Sequence, residues 1–190
     1  MQFAPVKHDL NEKKATQAAA RFLAAAGKRM HYLKLLKLMY LMDREALLRW
    51  GAPVTNDRYF SLPKGPILGR VKNLMVEEPL PSERGFWSDH ISSPNSYVIE
   101  LIDDAGDDEL SEAEEELIDE VFAKYGHIDR FKLIDHLHEI LPEWKDPNGS
   151  SIPITIADIL AAGNKGPAEM KAIEADLVHT RKIHTLFGGK

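Results

Sequence analysis

The sequence contains no cysteine, and its longest nearly apolar stretch, residues 33–42, is interrupted by two lysines. Without cysteine there are no disulfides, thiolate metal sites or cysteine nucleophiles, which fits a reducing compartment. The short apolar stretch argues against a membrane span, since about 20 consecutive apolar residues are needed to cross a bilayer. The first residues also lack the basic segment and apolar run of a secretion signal. We therefore expect a soluble, cytoplasmic protein.

The familiar catalytic and metal-binding motifs are also missing. There is no phosphate-loop glycine pattern, no Gly-x-Ser-x-Gly elbow and no His-Glu-x-x-His pair. His136 and His138 are two residues apart, so on a helix they point about 200° apart and do not share an ion. His179 and His184 are five apart, which is also a poor chelating step. The sequence therefore predicts no catalytic residues, no metal site and no cofactor.

The chain has 190 residues with 44% hydrophobic content, which suits a single domain over residues 1–190 with its own core. Its net charge of −6 is unevenly distributed: residues 1–76 carry +9 and residues 77–190 carry −15. Such polarity either steers a charged partner or reflects two faces of one globule that neutralise each other, and we favour the second. The acidic total disfavours a general DNA-binding protein.

Apolar periodicity predicts a mainly α fold with a small antiparallel β-sheet (α+β), built around a central helix near residues 31–50. Asp9 and Glu12 stand in capping-box spacing and place the start of the first helix near Asp9. Later helices are predicted to begin after Ser111, near Asp129, after Thr155 and at Pro167, with Phe131 on the apolar side of the second of these. The last helix, residues 167–186, has a weaker apolar stripe and is expected to lie at the periphery.

Three strands are predicted, over residues 58–62, 86–91 and 97–102, the last two joined by a turn at 92–96. Together they would form the small sheet. Residues 63–66 are predicted to be a turn, and Pro66 to open the next helix. A glycine between two prolines before a helix can present free amides to an anion. A tight turn is the favoured interpretation, because the glycine pattern of a phosphate loop is absent.

Asp43 lies in the middle of the apolar face of the central helix, beside Met39, Tyr40 and Leu47. A carboxylate in that position must be paired or hydrogen-bonded. In a structural interpretation it accepts backbone amides, or a contact from the Arg58–Tyr59 region, and fixes the following loop. In a catalytic interpretation it is a general base in a cleft. We favour the structural role, because no neighbouring histidine completes a proton-transfer pair in the sequence.

Two charged regions have competing explanations. Residues 103–120 hold eleven acidic and no basic residues, which either mimics nucleic acid or supplies the capped, acidic first turn of a helix. We favour the helix. A basic cluster surrounds the central helix and comprises Lys28, Arg29, Lys34, Lys37 and Arg49. Nucleic-acid binding is nevertheless disfavoured, because no helix-turn-helix or stacking platform accompanies these residues.

Several segments resemble the Panacea domain, the SocA-like antitoxin domain that is also met as a phage-associated protein family. They are residues 35–44 (LLKLMYLMDR), 51–59 (GAPVTNDRY), 63–66 (PKGP), 138–145 (HEILPEWK) and 155–160 (TIADIL). The resemblance extends over roughly residues 15–163. It implies a mainly helical domain with a small sheet that acts without catalysis. Its signature residues, expected to be structural or to contact a partner, are Tyr40, Asp43, Arg44, Asp57, Tyr59, Pro63, Gly65, Pro66, Trp144 and Asp158.

The resemblance also implies partners. Members of the family are antitoxins that neutralise a cognate protein toxin by direct contact, and one branch delivers its toxin to an AAA+ protease. We expect the contact surface to involve residues 103–116, the turn at 63–66 or the final helix. Two alternatives remain open: an enzyme with Asp43 in a catalytic cleft beside a His or Tyr, and a regulator that binds operator DNA. The oligomeric state does not follow from the sequence.

Overall fold

A computed structural model of the chain describes residues 10–77 and 85–187. Within these residues the chain forms eight helices and five short strands. The helices are α1 (Glu12–Ala25), α2 (Tyr32–Trp50), α3 (Gly69–Val76), α4 (Phe86–His90), α5 (Glu112–Tyr125), α6 (Arg130–Ile140), α7 (Ile156–Ala162) and α8 (Pro167–Phe187). The strands are β1 (Arg29–His31), β2 (Tyr59–Leu62), β3 (Gly65–Leu68), β4 (Val98–Glu100) and β5 (Ile152–Ile154). The predicted α+β class is confirmed, since 57% of the structure is helical and the strands pair in antiparallel fashion.

Helix α2 lies at the centre of the fold, as predicted. Twelve of its 19 residues are buried, and it contacts helices α1, α3, α5, α6 and α7 and strand β3. Burial on every side explains why its apolar residues are not confined to one face. His31 caps its start, where the ring Nδ1 accepts the backbone N–H of Leu33 at 3.2 Å. Gly51 ends the helix at φ +74°, a left-handed conformation that a residue without a Cβ adopts at little cost.

Helix α1 packs closely against α2, α4 and α5 because its inner face consists largely of small side chains. Three of its alanines are fully buried: Ala15, Ala18 and Ala19. The helix begins at Glu12 rather than near Asp9, which lies outside the described residues. Its cap is Asn11, whose side-chain oxygen accepts the N–H of Lys14 at 3.0 Å. The carboxylate of Glu12 accepts the backbone N–H of Trp87 at 2.9 Å instead, which ties α4 to α1.

The strands form two separate sheets, in the orders β3-β2-β5 and β1-β4. Strand β2 agrees with the predicted strand at residues 58–62, whereas three-residue strands such as β1 and β5 are too short for a pattern to reveal. The prediction that Pro66 opens a helix is wrong. Pro66 lies in β3 opposite Ser61, and α3 starts only at Gly69. Because β3 is an edge strand, the missing N–H of proline is tolerated there.

The predicted strand over residues 86–91 is also wrong, because this segment contains helix α4. Trp87 and Ile91 are both buried, and their spacing of four residues is that of one helix face. Ile91 makes an isolated bridge to Leu101 rather than a strand. Strand β4, at the predicted third strand, pairs with β1 and not with residues 58–62.

The basic and acidic parts of the chain neutralise each other where α1 meets α5. Arg21 forms ion pairs with Glu115 at 2.6 Å and with Asp119 at 2.7 Å. Further pairs join Lys13 to Asp108, Lys14 to Glu114 and Arg49 to Glu120. The interpretation that the charge polarity reflects two faces of one globule is therefore confirmed. Exposed pairs of this kind stabilise a fold by only about 0–1 kcal/mol each.

The later helices begin where the sequence predicts. Ser111, Asp129 and Thr155 each accept a backbone N–H from the first turn that follows. Phe131, however, is 55% exposed and does not join the core. Helix α8 contributes the buried Leu177, and it lays Ile173 close to Gly51 at the end of α2.

No helix within residues 10–77 and 85–187 combines the length and the hydropathy that a bilayer span requires.

Candidate functional site

Asp43 fastens the loop after α2 to the helix. Its Oδ1 accepts the backbone N–H groups of Val54 and Thr55, both at 3.0 Å. Its Oδ2 accepts the hydroxyls of Thr55 at 2.5 Å and of Tyr59 at 3.2 Å. Complete burial raises the pKa of Asp43 to about 7, although the donors on Thr55 and Tyr59 lower it. Asp43 thus has the contacts that the structural interpretation requires, with Tyr59 rather than Arg58 as a side-chain partner.

Asp57 caps helix α3, which has no capping side chain of its own. Its Oδ1 accepts the N–H of Arg70 at 3.1 Å, and its Oδ2 accepts that of Val71 at 2.8 Å. Burial raises the pKa of Asp57, while these amides and that of Arg58 lower it. The amides at this helix start are therefore already bonded to a carboxylate. This argues against an anion-binding site after residues 63–66.

Glu143 joins two side chains of α2 to the segment that follows α6. Its Oε1 accepts the hydroxyl of Tyr40 at 2.9 Å and the Nε–H of Arg44 at 2.6 Å. The rings of Tyr40 and Tyr59 pack edge to face, with centroids 5.9 Å apart. The groups around Glu143 therefore lie next to those around Asp43. Burial, and then the Glu143 charge, raise the pKa of Tyr40 well above its ordinary value. Tyr40 is therefore a permanent hydrogen-bond donor near neutral pH.

Lys37 is a buried cation, 1% exposed, whose Nζ donates to the carbonyl oxygen of Pro66 at 2.8 Å. It approaches Gly65 so closely that a Cβ there would lie 3.3 Å from Nζ and 3.5 Å from the Nε2 of His138. Burial lowers the pKa of Lys37 to about 7, and burial followed by the Lys37 charge lowers the pKa of His138. Glycine at position 65 thus makes room for both groups beneath the hairpin, at φ +93°.

The segment after α6 is clamped onto strand β2. The Trp144 indole stacks on His138 with ring centroids 3.7 Å apart, and its Nε1 donates to the carbonyl oxygen of Leu62 at 3.0 Å. The backbone N–H of Lys145 donates to the Ser61 hydroxyl at 3.2 Å. The segment after α6 is thereby tied to β2 by two hydrogen bonds, beside the contacts that α2 makes with the same hairpin.

We call these groups the buried polar layer, which comprises Lys37, Tyr40, Asp43, Arg44, Asp57, Tyr59, His138 and Glu143. Most of the sequence-predicted site residues lie in this layer or against it: Tyr40, Asp43, Arg44, Asp57, Tyr59, Gly65, Pro66 and Trp144. Pro63 lies apart from it on the exposed hairpin turn. Asp158 also lies apart and forms a capping box with Thr155 at the start of α7.

Lys37, His138 and Glu143 were not predicted as members of the layer. Lys37 was grouped with the basic cluster around the central helix, but its side chain is buried and is not available to a nucleic acid. A signal was available: Lys37 stands one helical turn from both Leu33 and Tyr40 on the apolar side of α2. For Glu143 no local pattern could show burial, since its partner Tyr40 lies 103 residues earlier. His138 stacks on the nearby Trp144, but its position beside Lys37 follows only from the fold.

The layer as a whole holds backbone in place. Across the described ranges, 10–77 and 85–187, no three His, Asp or Glu side chains are grouped as a metal would require. The partners of Asp43 are two amides and two hydroxyls, and no histidine is among them. The geometry therefore serves to anchor the hairpin on α2.

We expect Asp43→Ala to lower the free energy of unfolding by about 3 kcal/mol or more, because it leaves four buried donors without their acceptor. Asp43→Asn retains one accepting oxygen and should lose about 1–3 kcal/mol. Urea denaturation followed by circular dichroism measures both. Asp158→Asn, which changes a half-buried capping carboxylate, is the matched control and should lose under about 1 kcal/mol. Equal losses at positions 43 and 158 would show that Asp43 is not a fastener.

Lys37 should make stability rise with pH. Its folded-state pKa of about 7 lies below the unfolded value of 10.5, so between these values the unfolded chain holds the extra proton. The free energy of unfolding therefore falls as the pH is lowered from 10.5 toward 7, by up to about 1.4 kcal/mol per pH unit. Lys37→Met should remove this rise between pH 7.5 and 9.5, whereas Lys64→Met on the exposed turn should keep it. Unfolding curves of the three proteins at both pH values decide, and equal slopes would refute the expectation.

The comparisons with known proteins bear on the same region. A family model described as antitoxin SocA-like, Panacea domain, matches residues 35–145. This match covers more than half of the chain and contains every residue of the buried polar layer. Searches of curated proteins and of solved structures found no significant match. The resemblance predicted from the sequence is confirmed, over a shorter range than 15–163, and the chain belongs to the SocA-like antitoxin family defined by the Panacea domain.

Proposed function

We propose that this chain is an antitoxin that neutralises a cognate protein toxin by direct contact. Its family supports this role in general terms. The observation that carries the proposal is the use made of the motif residues: their polar atoms face inward and hold the hairpin on α2. Because these motif residues stabilise the fold, the protein would act through other residues on its surface, which bind the toxin. The absence of cysteine supports a reducing compartment such as the cytoplasm for this contact.

The enzyme alternative required Asp43 in an open cleft beside a histidine or tyrosine. Asp43 is fully buried, and the aromatic residue that donates to it, Tyr59, is itself only 2% exposed. A general base must reach a substrate proton within about 3 Å. Asp43 has no exposed surface from which to do so, and this favours the docking proposal.

The nucleic-acid alternative required a free basic surface around α2. Lys37 is buried, Lys34 donates to the carbonyl oxygen of Gly126, and Arg49 pairs with Glu120 at 2.6 Å. A protein that binds DNA needs several cations free to neutralise phosphates. Since these side chains already have partners within the chain, the basic cluster gives little support to operator binding.

The proposal is tested by co-expression with the neighbouring gene. Each gene is placed under its own unrelated inducible promoter, so that transcriptional regulation cannot account for rescue. We expect growth arrest when the neighbour is expressed alone and normal growth when both are expressed. We also expect the two proteins to co-purify on a tag carried by the neighbour. The Asp43→Ala variant serves as the control with a weakened scaffold, and it should rescue less well. Unchanged growth with the neighbour alone, or rescue without a complex, would contradict direct neutralisation.

The family also suggests a finer version, in which the chain delivers its toxin to an AAA+ protease. In that case the toxin should disappear several-fold faster only when both this chain and the active protease are present. Pulse-chase measurement of toxin half-life, with an ATPase-dead protease as control, tests this. A half-life that is the same with active and inactive protease would leave direct blocking as the mode of action.

A further inference from the structure

Three aromatic rings stack on one another at the surface where β1 meets α2. The ring of His31 lies 5.4 Å from that of Tyr32 and 5.6 Å from that of Tyr97, with interplanar angles of 18° and 9°. Tyr97 is 65% exposed, the largest exposure among the apolar side chains for which the structure gives a value. With Val76 and Pro94 these tyrosines line a shallow hollow of about 490 Å³. We call this surface the aromatic face, comprising His31, Tyr32, Val76, Pro94 and Tyr97.

The backbone that presents Tyr97 is strained. Asn95 and Val98 exchange backbone hydrogen bonds of 2.8 and 3.0 Å, so Ser96 and Tyr97 form a two-residue turn. Both have positive φ, +50° and +68°. Turns of this type favour Asn-Gly, and a bulky residue at positive φ is a genuine outlier. Strain of this kind gathers at functional positions, where the surrounding structure maintains it.

Hydrogen bonds fix the backbone of Tyr97 and the ring of His31. The N–H of Tyr32 donates to the carbonyl oxygen of Tyr97 at 2.9 Å, and His31 pairs with Val98 across the β1–β4 sheet. The His31 ring is fixed further because its Nδ1 accepts the N–H of Leu33. An exposed aromatic group that is already ordered loses little conformational entropy on binding, which is the property of an interface anchor.

Two basic side chains lie on the His31 side of the aromatic face, Arg130 at the start of α6 and Lys64 on the hairpin turn. After burial, their charges lower the pKa of His31. In the part of the chain that the structure describes, neither of them forms an ion pair. Arg130 also lies 4.4 Å over the exposed ring of Phe131, and the nearby Asp129 carboxylate is used to cap α6. Electrostatic complementarity therefore calls for acidic groups on a partner.

We propose that the aromatic face is the surface that docks the toxin, and that the toxin segment seated on it is apolar at its centre and carries Asp or Glu at its rim. This inference rests on the proposed function. A protein partner is favoured over single-stranded nucleic acid because the rings already stack on one another and leave mainly Tyr97 free. Two cations on a chain of net charge −6 are also few for holding a phosphate backbone.

The test separates the ring from the strained turn. Tyr97→Gly removes the ring and relieves the strain, whereas Ser96→Gly relieves strain in the same turn and keeps the ring. We expect Tyr97→Gly to bind the purified product of the neighbouring gene at least about tenfold more weakly by calorimetry, and Ser96→Gly to bind within about twofold of wild type. Ser96→Gly should also raise Tm by roughly 2–4 °C. Tyr97→Asn, which tolerates positive φ, repeats the ring deletion should the glycine variant fold poorly.

Charge is tested separately with Lys64→Glu. We expect a several-fold slower association with the same partner at low salt, and a smaller difference in 0.5 M NaCl. Unchanged association would overturn the acidic rim assigned to the partner.

The outcomes distinguish the two proposals. If wild type binds and rescues growth but the Tyr97 variants bind equally well, the docking surface is wrong and the antitoxin role stands. If wild type does not bind the neighbour at all, the antitoxin role fails and this inference falls with it. Retention of a 20-nucleotide oligo(dT) by wild type, lost in Tyr97→Gly, would overturn the protein occupant in favour of nucleic acid.

Discussion

A carboxylate inside an apolar interior must find hydrogen-bond donors, and in this fold that requirement determines where the chain goes after its central helix. Asp43 obtains two of its four donors from backbone amides that directly follow α2. Amides cannot be moved without moving the chain, so the loop is fixed in direction as well as in place. The third and fourth donors, the hydroxyls of Thr55 and Tyr59, extend this control to the first residue of β2.

The same kind of linkage continues across the rest of the buried polar layer. Tyr59 meets Tyr40 edge to face, and Tyr40 donates to Glu143, a residue 103 positions later. Arg44 supplies the opposite charge to Glu143, while Lys37, with its pKa lowered to about 7, needs less compensation than an ordinary lysine. Burying charge is tolerable when the group is hydrogen-bonded, as most polar atoms of the layer are. Among the described residues, the Nε2 of His138 and the Oε2 of Glu143 have no hydrogen-bond partner. The layer therefore joins distant segments of the sequence into one scaffold. Removing one member would leave its neighbours buried without a hydrogen-bond partner.

How much of this follows from the sequence depends on the range of the interaction. Helix starts at Ser111, Asp129 and Thr155 were predictable because a cap and its amide lie within three residues. The strands were predictable only in part: β2 and β4 lie inside predicted strands, but residues 86–91 form a helix. That segment has too few positions to separate a period of two from a helical one, and Trp87 and Ile91 fit both. The motif residues were found through the family resemblance, whereas the burial of Lys37 depends on Pro66 and the hairpin above it, contacts that only the folded chain reveals.

Natural sequences agree with their folds at most positions and depart from them where function demands it. In the interior of this protein the departures, buried charges, are each answered by a hydrogen-bond partner that explains their presence. At Ser96 and Tyr97 the contacts among the described residues do not require these side chains: asparagine or glycine would adopt the same turn with less strain, and the Tyr97 ring is largely exposed. A feature that lowers stability without serving the scaffold points outward, toward something the scaffold binds. The interior thus accounts for most of the family motif, and the strained surface turn is the reason for placing the proposed docking surface there.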